Sequence, residues 1–314
     1  MNNKNKYSTV FDRIKKTYVI FLNCLFNEDY IMILVTGASG HIGQGVVKEL
    51  LNNNVEFIAG VRNPETYHGI ECALRAFDYD DTSMMQEAFR GVDTVIFISG
   101  NAETERRIEQ HRQIIDAAKQ ENIQHIVYLS FITVTDPNSV FPFTRQHIDT
   151  ENYLNHSGIK HTVIRSSWYM ENLEFAVKEA LDTDIFIDGS QRGALSFISR
   201  QDVAKGLAML AIKPELQGEI YTFTGSKAYA MRDVAELMNC HCGKGIEFKS
   251  ISIADYQQSL IDDGLPEFLA ESIALNSDDI DNGDYAIVSQ DAKLVNQQQP
   301  MALVDYLTSI CAFH

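Results

Sequence analysis

The sequence predicts an α/β chain: a doubly wound parallel sheet with a smaller C-terminal α/β lobe. Three observations predict it. Short apolar runs alternate with segments of helical spacing from Ile31 to about Met170. Several of those runs, the first above all, are continuously apolar, as strands buried on both faces are. A glycine-rich turn, Gly37-Ala38-Ser39-Gly40-His41-Ile42-Gly43, joins the first run to the first helix.

In order, the strands are expected at Ile31 to Thr36, Glu56 to Val61, Cys72 to Phe77, Val92 to Ile98, Ile126 to Ser130 and Lys160 to Arg165. Between them, helical spacing covers His41 to Leu51, Thr82 to Arg90, Glu103 to Gln120 and Gln146 to Asn155. After about Met170 the alternation weakens. Helices are expected at Arg200 to Ile212, Met231 to Asn239, Ala254 to Ile261, Pro266 to Leu275 and Pro300 to Ile310, with a seventh strand at Ile220 to Phe223. Residues 31–170 therefore read as a nucleotide-binding domain, and 171–314 as a lobe that covers the reactive end of its ligand. No Pro/Gly/Ser-rich linker separates them, so the two are expected to share one core.

The 314 residues are 45% hydrophobic and 22% charged, with a net charge of −17. Such a balance suits a soluble globular protein and repels nucleic acid and anionic membrane. From Ile251 to Ala292 there are acidic residues but no Lys or Arg. That stretch reads as a solvated helical face, or as a surface for a basic partner. Five cysteines, an odd number at scattered spacing, argue against a disulfide framework and fit a reducing cytoplasm. Cys240-His241-Cys242 offers too few ligands for a metal.

Residues 1–30 stand apart. Lys4, Lys6, Arg13, Lys15 and Lys16 precede an apolar run from Tyr18 to Phe26 that is too short to cross a bilayer and contains Asn23. The segment reads as a poorly ordered extension, with a seldom-used upstream start as one origin, or as a peripheral anchor. Stable membrane insertion is not expected.

The glycine turn carries the first chemistry. Gly37 and Gly40 allow a tight turn and close approach to a pyrophosphate, and Gly43 lets the helix pack against the strand. The helix N-terminus offers free amides and partial positive charge to phosphate. This is the signature of a Rossmann-type dinucleotide site, and Ala38, Ser39, His41 and Ile42 lie within it. At the end of the second strand an acidic residue would select NAD. Here Arg62 stands there, suited to a 2′-phosphate, so NADPH is the expected cofactor; Arg62 as a plain turn residue, with Glu65 nearby, is the competing reading. Asp78 can accept from the adenine amino group, or its cluster can cap a helix. Ser99, Gly100 and Asn101 follow the fourth strand at the edge where open sheets bind ligands.

Several stretches together resemble the short-chain dehydrogenase/reductase superfamily, in its atypical or extended branch. They are Thr36 to Gly43, Val61-Arg-Asn-Pro64, Gln146-His-Ile-Asp-Thr-Glu151, Ser157 to Thr162, Ser167-Trp-Tyr-Met-Glu-Asn172 and Gly264-Leu-Pro266. The Trp-Tyr-x-Glu-Asn stretch and the His-x-x-x-Glu helix narrow the resemblance to the NmrA-like group, and within it to NAD(P)H:quinone oxidoreductases of type 2. It covers nearly everything from Met32 onward. It implies that Ser166, Ser167, Trp168, Tyr169, Met170 and Glu171, with Asn172 next to them, lie by the nicotinamide half, and that a homodimer is the form of assembly to test. Trp168 reads equally well as a buried anchor.

The chain departs from the superfamily at one point. Where other members carry Tyr-x-x-x-Lys, this helix reads Phe143-Thr-Arg-Gln-His147. Phe143 cannot donate a proton. His147 can polarise an acceptor oxygen as the catalytic residue, or be a satisfied helix histidine. The expected activity is therefore NADPH-dependent hydride transfer to a quinone or similar electron-poor acceptor, whose reduced anion collects its proton from water. The competing expectation is an NADP(H)-binding redox sensor without turnover. Sugar-nucleotide epimerisation would need the missing tyrosine.

Overall fold

The computed structural model describes residues 31–136 and 138–313; the expectations for residues 1–30 lie outside them. The first strand, β1 (Ile33–Val35), has no solvent-accessible side chain. Its side chains alternate: Ile33 and Val35 enter one apolar cluster and Leu34 another, so both faces of the sheet are covered. Each such Leu or Ile contributes roughly 2 kcal/mol by leaving water.

The strands that follow are β2 (Phe57–Val61), β3 (Ala73–Ala76), β4 (Thr94–Phe97), β5 (His125–Phe131) and β6 (Lys160–Ser166). With β9 (Ile220–Phe223) they form a parallel sheet in the order β3-β2-β1-β4-β5-β6-β9. The order reverses between β1 and β4, which opens a crevice at their carboxyl ends. Helices α1 (His41–Asn52) and α6 (Arg200–Ile212) pack together on one face of the sheet. Helices α2 (Thr82–Phe89), α3 (Thr104–Gln120) and α4 (Pro142–Ser157) lie on the other. Thus β9 and α6 come from after residue 170 yet complete the sheet layer.

The remaining chain builds the lobe, apart from α10 (Asp291–Asn296), which packs on α6 and β9: α5 (Glu174–Thr183), β7 (Ile185–Asp188), β8 (Ala194–Leu195), β10 (Tyr229–Ala230), α7 (Met231–Cys242), β11 (Glu247–Ser250), α8 (Ile253–Asp262), α9 (Glu267–Asn282) and α11 (Leu303–Phe313). Its own apolar cluster joins Val177, Leu181, Phe186, Val234, Met238 and Leu307. β7 pairs in parallel with β11, and β8 antiparallel with β10. None of these four strands was expected. They are short, and Glu247 and Lys249 give β11 no apolar signal. Helix α4 is also longer than its spacing suggested. It begins at Pro142, whose fixed φ suits a first helical turn, and stops at Gly158, where φ is +81°.

The cysteine reading needs correction. Cys242, the last residue of α7, is disulfide-bonded to Cys311 in α11, with a Cα–Cα distance of 5.7 Å. The two are 69 residues apart and meet only because α7 packs on α11. Cys72 and Cys240 are free. The bond removes the argument from cysteine usage for a reducing compartment. Among the described residues no helix is long and apolar enough to cross a membrane. Closing so long a loop is worth about 2–4 kcal/mol. Cys311→Ser, or addition of dithiothreitol, is therefore expected to lower the melting temperature by several degrees; non-reducing peptide mapping that finds both thiols free would remove the bond from the account.

Candidate active site

At the switch point, strand ends and glycine turn are locked together. Thr36 Oγ1 donates to Ile98 O at 2.9 Å and accepts from Ile98 N at 2.9 Å. Tyr79 Oη donates to the same carbonyl at 2.6 Å. Gly37 holds φ at +60°, and a side chain there would also meet Tyr79 Oη at 3.0 Å. Gly43 is constrained more severely: a Cβ would lie 2.2 Å from Gly37 O and 2.6 Å from Ala38 Cα. Ala38 and Ile42 are buried below the turn, whereas Ser39, Gly40 and His41 are exposed. No side chain caps α1 at Gly40, so its first amides face the crevice. Across the crevice, Ser99 Oγ is inaccessible, near the Tyr128 hydroxyl but without a well-formed hydrogen bond among the described residues. Gly100 lies against the Tyr79 ring and Asn101 is exposed. A cradle that a Cβ would fill, uncapped amides and an orphaned hydroxyl fit a dinucleotide's phosphates.

Arg62, just past β2, is largely exposed and lies 3.5 Å from Asp78. Asp78 also accepts from Asp80 N at 3.1 Å. The cap of α2 is Asp81, which accepts from Met84 N at 2.9 Å. Of the two readings for this acidic cluster, capping belongs to Asp81, which leaves Asp78 beside Arg62 at the edge of the nucleotide crevice.

The segment after β6 is tied down by its backbone. Ser166 and Ser167 are buried, and Ser167 N donates to Phe223 O at 2.9 Å. Trp168 O accepts from Ile198 N, and Met170 N donates to Ile198 O, both at 3.0 Å. Tyr169 lies under the Arg200 guanidinium, 5.6 Å from ring centroid to its carbon. Glu171 accepts from Arg200 N at 2.9 Å, which anchors the start of α6. Met170 is buried in the lobe's cluster.

His147 and Glu151 sit one turn apart on α4, facing the sheet. Glu151 is buried and accepts from Ser130 Oγ at 2.6 Å and from Arg165 Nη2 at 2.6 Å. It is fully engaged as a structural anion. His147 is buried, and its Nδ1 lies 2.7 Å from Tyr128 Oη. Burial, then the nearby Arg107 and His111, hold its pKa well below the ordinary histidine value. Burial raises the Tyr128 phenol. The pair is therefore neutral near pH 7, and neither member is a strong acid. The one tyrosine of α4, Tyr153, faces Asp116 at 2.9 Å and has Ser157 four residues on.

Around His147 the rings gather. Phe131 stacks on it at 6.2 Å and touches Phe141 at 5.3 Å, Trp168 at 6.1 Å and Tyr285 at 5.8 Å. Phe141 touches Phe143 at 5.1 Å. Phe131, Phe143, Trp168 and Tyr169 are half-buried, at the carboxyl edge of β5 and β6. The glycine turn, Ser99, the post-β6 segment and His147 are thus on one edge of the sheet. Tyr79, Tyr128 and Arg107 belong there too, and sequence reasoning missed all three. Two open clefts elsewhere, of about 510 Å³ beside Arg75 and about 840 Å³ beside Ser199, share no residue with it. No group of three or more His, Cys, Asp or Glu among the described residues could hold a metal ion.

The acidic stretch also departs from a purely solvated face. Asp279 is buried and accepts from Ser139 Oγ at 2.6 Å, Val140 N at 3.1 Å and Phe141 N at 3.2 Å. It thereby holds the entry to α4. Asp281 accepts from the amides of Gln191, Arg192 and Gly193.

Comparisons with known proteins bear on the family and the fold. The family described as NAD(P)H-binding matches residues 37–214. Quinone oxidoreductase 2 of Escherichia coli is 31% identical over 248 residues, covering 77% of this chain and 86% of that protein. The NADPH complex of an Escherichia coli NADPH-dependent quinone oxidoreductase superposes with a TM-score of 0.83 at 28% identity, covering 90% of this chain and 100% of that one. A nucleoside-diphosphate-sugar epimerase from Staphylococcus aureus gives the same TM-score, 0.83, at 26% identity, covering 88% of this chain and 100% of that one.

Beside the aromatic set, Asp284 has one oxygen that is inaccessible and unpartnered. Burial first, then Asp136 and Asp279, raise its pKa to about 6. A carboxyl raised in the folded state stabilises fully below its unfolded pKa and loses that contribution as pH rises through the folded value. Asp284→Asn is therefore expected to melt higher than the parent at about pH 7.5, with the gap closing at about pH 4. Equal melting curves at both pH values would show that the carboxyl is not strained.

Proposed function

The chain belongs to the NAD(P)H-binding family, and from that premise we propose that it is an NADPH-dependent reductase passing hydride to a quinone or a similarly electron-poor small acceptor. The observation that carries the reading is the proton chemistry of the candidate site. The Tyr128–His147 pair is neutral and buried, and by the resemblance Phe143 takes the position of a proton-donating tyrosine. A simple ketone reduced there would become an alkoxide with no acid beside it. A quinone becomes a hydroquinone anion, stable enough to take its proton from water.

The reduced nicotinamide supplies the hydride when bound. What the chain supplies is position. The amides at Gly40 and the orphaned Ser99 hydroxyl would hold the phosphates, and Ser166 to Met170 would carry the nicotinamide half. Phe131, Phe143 and Trp168 would take a flat acceptor on their faces. Arg62 favours the 2′-phosphate; its only described carboxylate partner, Asp78, is at 3.5 Å and leaves most of the guanidinium exposed. The likeness to a sugar-nucleotide epimerase extends to the fold; the tyrosine of α4, Tyr153, has Ser157 and not a lysine four residues on.

NADPH oxidation with 1,4-benzoquinone is expected to exceed that with aliphatic ketones by at least about 100-fold, the contribution of one general acid. Binding of NADPH without turnover over a broad acceptor panel would replace this reading with that of a redox sensor. Arg62→Ala is expected to raise KM for NADPH by about 10-fold or more, the loss of one charge-assisted contact, and to leave KM for NADH nearly unchanged. An equal rise for both cofactors would move the 2′-phosphate site elsewhere.

A further inference from the structure

Arg107, in the first turn of α3, has no carboxylate partner among the described residues. Its Nε is out of reach of solvent and has no hydrogen-bond partner among the described residues. The other arginines of that helix are paired: Arg106 with Asp80, and Arg112 with Asp149. The Arg107 guanidinium carbon instead lies 5.3 Å from the centroid of the Phe143 ring. The titratable groups that face it are Tyr128 from β5, Tyr79 from the end of β3, Tyr169 from beyond β6, and the histidines His111 and His147. All are neutral near pH 7. Burial pulls the guanidinium down from its ordinary value, and the tyrosines only partly oppose this.

An unpaired, desolvated guanidinium is costly, and such groups concentrate where a ligand supplies the missing charge. Two anions come into question, a cofactor phosphate and the reduced acceptor. The phosphates already have the uncapped end of α1 at the glycine turn. Arg107 borders the aromatic set, through Phe143, Phe141 and Trp168.

We infer that Arg107 is the oxyanion-binding residue of this site: its guanidinium receives the acceptor oxygen that becomes negative on reduction. The inference rests on the reductase reading given above. The acceptor takes a hydride, with its two electrons, from the C–H bond of the reduced nicotinamide. NADPH becomes NADP⁺ and the quinone a hydroquinone monoanion, which collects one proton from water. The charge that appears on the acceptor oxygen would then meet a fixed cation whose Nε is already withdrawn from water, where such a contact is stronger than in bulk solvent.

The test uses the full chain with Arg107→Met, Arg107→Gln and Arg107→Lys. 4-Nitrophenol, titrated into the NADP⁺ complex, reports by its absorption band whether it binds as phenolate. The parent is expected to bind the phenolate, both neutral variants to lose about 100-fold in its affinity, and Arg107→Lys to retain part of it. NADPH affinity, followed by its fluorescence, is expected to stay within about 2-fold, since the contact is to the acceptor and not to the cofactor. With benzoquinone, kcat is expected to fall about 100-fold or more in the neutral variants. Arg107→Met is expected to melt no lower than the parent, because it removes an uncompensated charge; a purely structural arginine would melt lower.

Unchanged phenolate binding in both neutral variants overturns the inference. So does a collapse of NADPH affinity with phenolate binding intact, which would assign Arg107 to a cofactor phosphate. Arg107-dependent phenolate binding in a protein that turns over no acceptor would uphold the subsite and sink the reductase reading instead.

Discussion

Everything at the carboxyl edge of the sheet depends on how closely α1 can approach β1. That approach is possible because position 43 has no side chain, since a Cβ there would sit 2.2 Å from the Gly37 carbonyl. Once the helix is that close, its uncapped amides lie at the point where the strand order reverses. The Thr36 hydroxyl then clasps β1 to the end of β4 in both directions. One end of a bound dinucleotide would be fixed by this geometry. The other end would fall near the segment that leaves β6, because β4 and nearly all of β5 between them are buried and close-packed.

The site's polar groups divide by whether their charge or proton is already spoken for. Glu151 is met by Arg165 and Ser130. Thr150 donates to Gln146 O, so His111 must donate to it from Nδ1, which fixes that histidine's tautomer. Glu171 is held by the start of α6. These arrangements position the elements. Among those that remain uncommitted in the described residues are the α1 amides, the Ser99 hydroxyl and Arg107 Nε. An interior that satisfies so many neighbours while leaving these open is arranged around something that is not protein.

The sheet and the glycine turn were legible because their signals are local. Continuous apolar runs and a glycine spacing need no knowledge of tertiary contacts, and the strands from β1 to β6 fall within a few residues of expectation. The candidate site was legible only where a motif carried it. Tyr128 lies in an apolar run and reads as core, yet its hydroxyl meets His147. Arg107 lies among charged residues on a polar helix and reads as solvated, yet its Nε is buried. Helical periodicity says which way a side chain points, but not that a tyrosine-lined edge stands opposite. The same limit hid the meeting of Cys242 with Cys311 and the pairing of β7 with β11, which depend on how the lobe closes on itself.

The run of carboxylates between Ile251 and Ala292 looks like a coat of surface charge, but part of it works as backbone glue. Asp279 gathers two main-chain amides and a hydroxyl at the mouth of α4, and Asp281 gathers three amides of the 191–193 turn. The helix bearing His147 is thus held in place by an anion lent from the lobe. The lobe is for that reason not an interchangeable lid. A graft of another lobe onto this sheet would have to bring its own carboxylate to the same amides, and any effort to neutralise the acidic surface would have to spare these two positions.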